Sequence, residues 1–215
     1  MNHLDGSYWD QRYADNNTGW DIGYASPALT HYFDQLPDKH ISVLIPGGGN
    51  SYEATYLAEN GFTNVTVADI SAVVCERLRN RYQDWKEHQP PSVLHTDFFA
   101  MEEYACSFDL IVEQTFFCAL DPSLRRNYVQ QVHRLLKPGG KLAGVMFGRE
   151  FEGGPPFGGS EEEYKPLFGD LFDIQKMEAC YNSIPPRAGN ELFVICRPKL
   201  KADCFDKEIS SRQHS

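Results

Sequence analysis

Three carboxylates and a run of glycines carry the clearest chemical signal in the 215-residue sequence. Gly47, Gly48 and Gly49 lie in IPGGGN at 45–50, Asp69 stands about twenty residues further on, Asp97 opens DFF, and Glu113 closes FDLIVE. Each follows a segment that reads as a strand. A glycine turn lets the backbone approach a ligand and swing into a helix. A carboxylate about twenty residues later can accept both hydroxyls of a ribose. Asp97 can accept from an adenine amino group while Phe98 packs on the ring. Taken singly, the glycine run also reads as a tight strand-to-helix turn and Asp97 as a turn cap. Their shared placement at successive strand ends favours a nucleoside.

Missing residues narrow the choice. The place where a dinucleotide fingerprint sets its third glycine is Tyr52, and no Gly-Lys-Ser/Thr triplet exists to cradle a triphosphate. An adenosine ligand without phosphate fits better, which points to S-adenosylmethionine. Cys118 sits in an apolar stretch with no basic neighbour to depress its pKa, so it reads as a buried structural thiol. His133, Arg134 and Lys137 suit a helix C-terminus, and Glu161, Glu162 and Glu163 suit a first turn capped by Ser160.

The elements that position these residues alternate. Strands are expected at 41–45, 64–68, 92–94, 108–113 and 141–147, with helices at 51–60, 71–87 and 122–136. LLKPGG at 135–140 reads as the stop signal before the fifth strand. Strands alternating with helices imply βαβ units and a doubly wound, mainly parallel sheet, an α/β fold of Rossmann-like type. The segments 171–178 and 191–197, joined by YNSIPPRAGN, suggest an antiparallel C-terminal hairpin at the edge of a seven-stranded sheet. Residues 1–40 read as an N-terminal helical cap, 148–160 as a Gly/Pro-rich loop, and 199–215 as a polar C-terminal tail.

Composition bounds the partners. Twenty Lys and Arg against thirty Asp and Glu give a net charge of −10, unfavourable to nucleic acid and to an anionic membrane surface. No apolar run is long enough to span a bilayer, and the N-terminus lacks the pattern of a signal peptide. The six cysteines (75, 106, 118, 180, 196, 204) show no C-x-x-C spacing, and the histidines are dispersed, so no metal site and a cytoplasmic protein with reduced thiols are expected.

The order of IPGGGN, ADIS, TDFF, FDLIVEQTFFCALDP with its arginine pair, LLKPGG and GGPPF resembles the thiopurine S-methyltransferase superfamily over residues 5 to 198. It is most similar to the branch of halide and thiol methyltransferases. The resemblance implies one class I methyltransferase domain over 1–198, S-adenosylmethionine as cofactor and S-adenosylhomocysteine as product. A monomer acting on a small-molecule methyl acceptor goes with it. Trp9, Tyr13 and Trp20 would close over the cofactor, Gly47 to Gly49 would meet its methionine portion, and Asp69 with Ile70 and Ser71 its ribose. Asp97 with Phe98 would take the adenine. Glu113, where relatives usually carry Asp, would lie near the amino group. IPPRAG at 184–189 looks like the family's Ile-Pro-x-Arg segment, making Arg187 the candidate for attracting an anionic or thiol-bearing acceptor; a solvated loop arginine is the plainer reading.

No acid or base is required. A sulfonium carries its own leaving group and a thiolate or halide its own lone pair, so the task is in-line positioning and exclusion of water. Trp20, Phe116 and Glu113 suit a cationic cofactor. Phe116, Phe117, Phe147 and Phe157 would line a low-polarity acceptor pocket, with the ordinary core as the alternative for each. Phe147 stands where many halide-methylating relatives carry Tyr, and Gly48 and Asn50 also depart from the branch. A thiol or thiopurine sulfur is therefore the expected acceptor, with halide methylation or a non-catalytic cofactor-binding module as alternatives.

Overall fold

Every second residue of a strand faces the same side of its sheet, and the central strands divide their apolar residues accordingly. The computed structural model describes residues 4–199. β1 (Ser42–Pro46) sends Val43 and Ile45 to one core and Leu44 to the other. β4 (Phe108–Gln114) sends Leu110 and Val112 to the first and Ile111 to the second, and β5 (Leu136–Phe147) repeats the division with Ala143 and Val145 against Leu142 and Met146. A sheet buried on both faces needs this continuous apolar pattern.

With β2 (Asn64–Asp69), β3 (Ser92–His95), β6 (Phe172–Ala179) and β7 (Glu191–Pro198), seven strands form one sheet in the order β3-β2-β1-β4-β5-β7-β6. The first five are parallel; β7 runs antiparallel to both β5 and β6, which is the expected hairpin. Residues of α2 (Pro27–Asp34), α3 (Tyr52–Glu59) and α4 (Ala72–Tyr82) join the core on one face. On the other face, α5 (Arg125–Leu135) and α6 (Glu161–Gly169) pack around Tyr128 and Phe168. Strand order reverses between β1 and β4, where a doubly wound sheet opens a crevice at its carboxyl ends. The N-terminal segment contributes α1 (Gly6–Ala14) and α2, as the cap reading anticipated.

Several boundaries move. α4 ends at Tyr82 rather than 87, and the stretch expected as a helix from 122 begins as a 3-10 turn, Pro122–Leu124, before α5. LLKPGG is no separate turn: β5 starts at Leu136, which pairs with Phe108, and the pairing shifts register before Leu110 meets Lys141. The extra residues are absorbed as an irregularity within the ladder. Ser160 accepts from the Glu163 amide and opens α6 as expected. Cys75, Cys118, Cys180 and Cys196 are buried free thiols, whereas Cys106 is disulfide-bonded and departs from the expectation of reduced cysteines. It lies in the turn before β4 with a positive φ of 55°. Cys204 and the tail beyond Lys199 lie outside the described residues. No helix among the described residues is long and apolar enough to cross a membrane.

Candidate active site

A cavity of about 920 Å³ opens at the carboxyl ends of β1, β2, β3 and β4 and continues beneath the 148–160 loop. Its floor is the glycine turn. Gly47 and Gly49 hold φ of 54° and 52°, a region that L side chains rarely adopt. The space is equally decisive: a Cβ at Gly47 would enter the Phe116 ring, and one at Gly49 would meet the Tyr13 hydroxyl. The chain's own aromatic rings thus demand the close approach.

Asp69 ends β2 and lines the cavity although only 7% exposed. One carboxylate oxygen accepts from the Gly49 amide at 2.9 Å and the other from the Ser71 amide at 2.8 Å. Each retains a further lone pair for a ligand. Burial raises its pKa, while the Ser71 and Gly49 amides oppose that shift. Asp97, exposed beyond β3, accepts from the Phe99 amide at 2.9 Å through one oxygen. Ile70, Asp97 and Phe98 all reach the cavity wall, and Phe98 meets Phe116 edge to face at 5.3 Å.

Glu113 does something other than expected. It is 1% exposed and turned into the core, where one oxygen accepts from the Phe116 and Phe117 amides, both at 2.8 Å, and the other from the Tyr128 hydroxyl at 2.6 Å. Burial lifts its pKa to about 7. Glu113 fastens the turn after β4 and does not face the cavity. Its neighbour Gln114 does, and Gln114 Oε1 is buried without a hydrogen-bond partner. Ser51 supplies a second such group: it caps α3 at a φ of 46°, lies on the cavity wall, and its hydroxyl is buried and unpartnered. Buried polar atoms ordinarily find partners, so both oxygens keep their hydrogen-bonding capacity for a group entering the cavity.

The N-terminal segment forms the opposite wall. Trp20 receives the edges of Trp9 at 5.5 Å and Tyr13 at 5.8 Å, and all three line the cavity. Arg187 crosses from the β6–β7 connection, donating to the Trp20 carbonyl at 2.6 Å and pairing with Glu191 at 3.4 Å. Its guanidinium lies over the Phe147 ring, 5.4 Å from the centroid. Phe116, Phe147, Phe151, Pro155 and Pro156 complete an apolar stretch. Burial pushes the Cys118 thiol up, and its Sγ donates to the Thr115 carbonyl at 3.2 Å, the setting of a structural thiol.

Three further expectations are corrected. Phe117 points into the core, edge to face with Tyr128 and Tyr164, at the start of a 3-10 turn (Phe117–Ala119) whose next residues line the cavity. Phe157 is not on the wall; its amide donates to the Cys118 carbonyl at 2.6 Å and draws the return leg of the loop against the protein. Ser71 is fully buried as the N-cap of α4, accepting from the Val74 amide and donating to Asp10 of α1 at 2.6 Å. Sequence reading missed Gln114, Ser51, Arg149 and Phe151. Strand alternation would have found Gln114; nothing in the loop's composition singles out Arg149.

These donors and acceptors suit S-adenosylmethionine: carboxylates for ribose and adenine, an orphaned amide oxygen for an ammonium, an orphaned hydroxyl and helix start for a carboxylate, and aromatic faces for a sulfonium. Residues 4–195 match the model of the family described as thiopurine S-methyltransferase. The "Probable thiol methyltransferase 2" of Arabidopsis thaliana is 34% identical over 188 residues, covering 85% of this chain and 81% of its own length. "Thiocyanate methyltransferase 1" of Brassica oleracea is 28% identical over 185 residues, with the same coverage. Among solved structures, the Burkholderia thailandensis 1,6-didemethyltoxoflavin-N1-methyltransferase with bound S-adenosylhomocysteine superposes with a TM-score of 0.70 at 20% identity, over 90% of this chain and 87% of that one. That likeness shows a shared fold.

Proposed function

The chain belongs to the thiopurine S-methyltransferase family and is an S-adenosylmethionine-dependent methyltransferase, and from that footing we propose that its acceptor is the sulfur of a small thiol. One observation carries the reading. A single cavity joins carboxylates and unpartnered polar atoms at the strand ends to an aromatic stretch of low polarity.

When bound, S-adenosylmethionine supplies a methyl group already activated on a sulfonium. Asp69 would hold the ribose hydroxyls, Asp97 and Phe98 the adenine, and Gln114 Oε1 and the Ser51 hydroxyl the amino and carboxylate ends of the methionine portion. Trp9, Tyr13 and Trp20 form the lid over that half. Phe116 and Phe147 present ring faces rather than acids or bases, so their work is to exclude water and align an acceptor for in-line displacement. Glu113 acts through the backbone: by accepting from the Phe116 and Phe117 amides it fixes where the Phe116 ring stands. The thiol sheds its proton to solvent before transfer, and charge is neutralised as the new carbon–sulfur bond forms, a change that a water-poor pocket favours. The absence of a phenol at Phe147 supports sulfur over halide as acceptor.

The test is direct. Purified protein with S-adenosylmethionine should yield S-adenosylhomocysteine and a methyl thioether with members of a thiol panel, faster than it yields methyl iodide from iodide. No transfer to any thiol would sink the sulfur reading, and faster iodide turnover would replace it with halide methylation.

A further inference from the structure

The cavity is lined by three guanidinium groups, and they are not equally occupied. Arg187 is paired with the buried Glu191 and with the Trp20 carbonyl. Arg12 donates to the Asn17 carbonyl and the Tyr8 hydroxyl, each at 2.9 Å, and lies over Trp20. Arg149 differs: like Arg12 it has no carboxylate within ion-pair distance among the described residues, but unlike Arg12 its guanidinium makes no close hydrogen bond, only a long 3.4 Å contact of Nε with the carbonyl of Glu150.

Its position is nevertheless fixed. The Arg149 carbonyl accepts from the Gly159 amide at 2.9 Å, and the preceding Gly148 amide donates to the Asn190 carbonyl at 2.8 Å. The guanidinium lies over Phe151, 4.7 Å from the ring centroid. Phe151 in turn meets Phe147 at 4.9 Å and 80°, so one continuous aromatic wall runs from beneath Arg187 to beneath Arg149. A guanidinium held over a ring face uses none of its N–H donors there, and a pair of parallel N–H donors matches a carboxylate's two oxygens.

We propose that Arg149 selects acceptors whose sulfur-bearing organic body carries a second, anionic group, with the body lying along Phe147 and Phe151 and the anion reaching Arg149. This rests on the thiol reading above and adds the class of thiol. A bare halide or hydrosulfide has no body to span that wall.

The experiment compares 4-mercaptobenzoate with its methyl ester, and with iodide, in the full chain and in Arg149→Gln and Arg149→Lys. The wild type should favour the acid over the ester in kcat/KM by roughly three- to fivefold, the worth of an exposed charge pair with good geometry. Arg149→Gln should bring that ratio close to one, and Arg149→Lys should leave an intermediate ratio, since charge remains but the planar fork is lost. A wild-type ratio near one, or a ratio kept in Arg149→Gln, would overturn the proposal. An equal fall in iodide turnover would overturn it too, by showing general attraction of anions. Binding of acid and ester to protein saturated with S-adenosylhomocysteine, measured by calorimetry, separates the two readings. Arg149-dependent preference for the acid without methyl transfer would uphold the anion site and remove the sulfur acceptor; no preference in binding or turnover would remove the site whether or not thiols are methylated.

Discussion

Between Asp69 and Arg149 the cavity wall changes its construction. At the strand ends, carboxylates accept from backbone amides of neighbouring turns, so the sheet itself dictates their positions. Along the 148–160 loop the surface is made of rings meeting edge to face and guanidiniums lying over them, and the backbone beneath is tied down by a few carbonyls. Hydrogen bonds fix one half in direction, whereas ring packing fixes the other mostly in distance. On the proposed assignment, the first half can stay fixed for the cofactor while the second is rebuilt for a different acceptor.

Glu113 is the joint between the halves, and breaking it should have the largest effect. Glu113→Ala leaves the buried Phe117 amide, the partly buried Phe116 amide and the buried Tyr128 hydroxyl without an acceptor, which should cost about 3–5 kcal/mol of stability, read from urea unfolding. A loss below about 1 kcal/mol would show that the turn after β4 does not depend on it. The same carboxyl should make stability depend on pH. Its folded pKa of about 7 lies above the ordinary 4.5, so the folded state binds the proton more tightly. The contribution of Glu113 to stability is then fullest below pH 4.5 and is lost as pH rises through 7, by at most about 3 kcal/mol. Burial shifts Glu53 and Asp69 the same way, so Glu113→Gln should flatten only part of the decline between pH 5 and 8.

Within the strand-end half, Asp69→Ala should weaken S-adenosylhomocysteine binding by about 1–3 kcal/mol in calorimetry while leaving the ratio of acceptors as it was. Unchanged affinity would remove its ribose role. The smallest effect is reserved for the loop half. Phe147→Tyr should raise iodide turnover relative to thiol by a few-fold without altering affinity for S-adenosylhomocysteine, and an unaltered ratio would show that this ring does not decide the acceptor.

The same contrast explains what could be read from sequence. Apolar runs followed by Asp69, Asp97 and the glycine turn were legible because strand ends in a doubly wound sheet are where ligands bind. Glu113 faces the core and not the cavity because a strand reverses face at every residue, and Gln114 takes the cavity side. Phe116 and Phe117 divide by a different route, across the start of a 3-10 turn. Arg187 was legible through the resemblance alone, and Arg149 not at all: a loop written in Gly and Pro has no period from which the direction of a side chain can be inferred.

The contact between α1 and α4 has a consequence for timing. Asp10 Oδ1 accepts from both the Ser71 hydroxyl and the Val73 amide, the latter at 3.1 Å, so the first turn of α4 borrows part of its cap from a helix remote in sequence. Any excursion of α1 away from α4 withdraws that acceptor and exposes one particular amide to solvent. Hydrogen exchange at Val73 therefore counts the departures of α1, a clock for the N-terminal segment that runs without substrate or product.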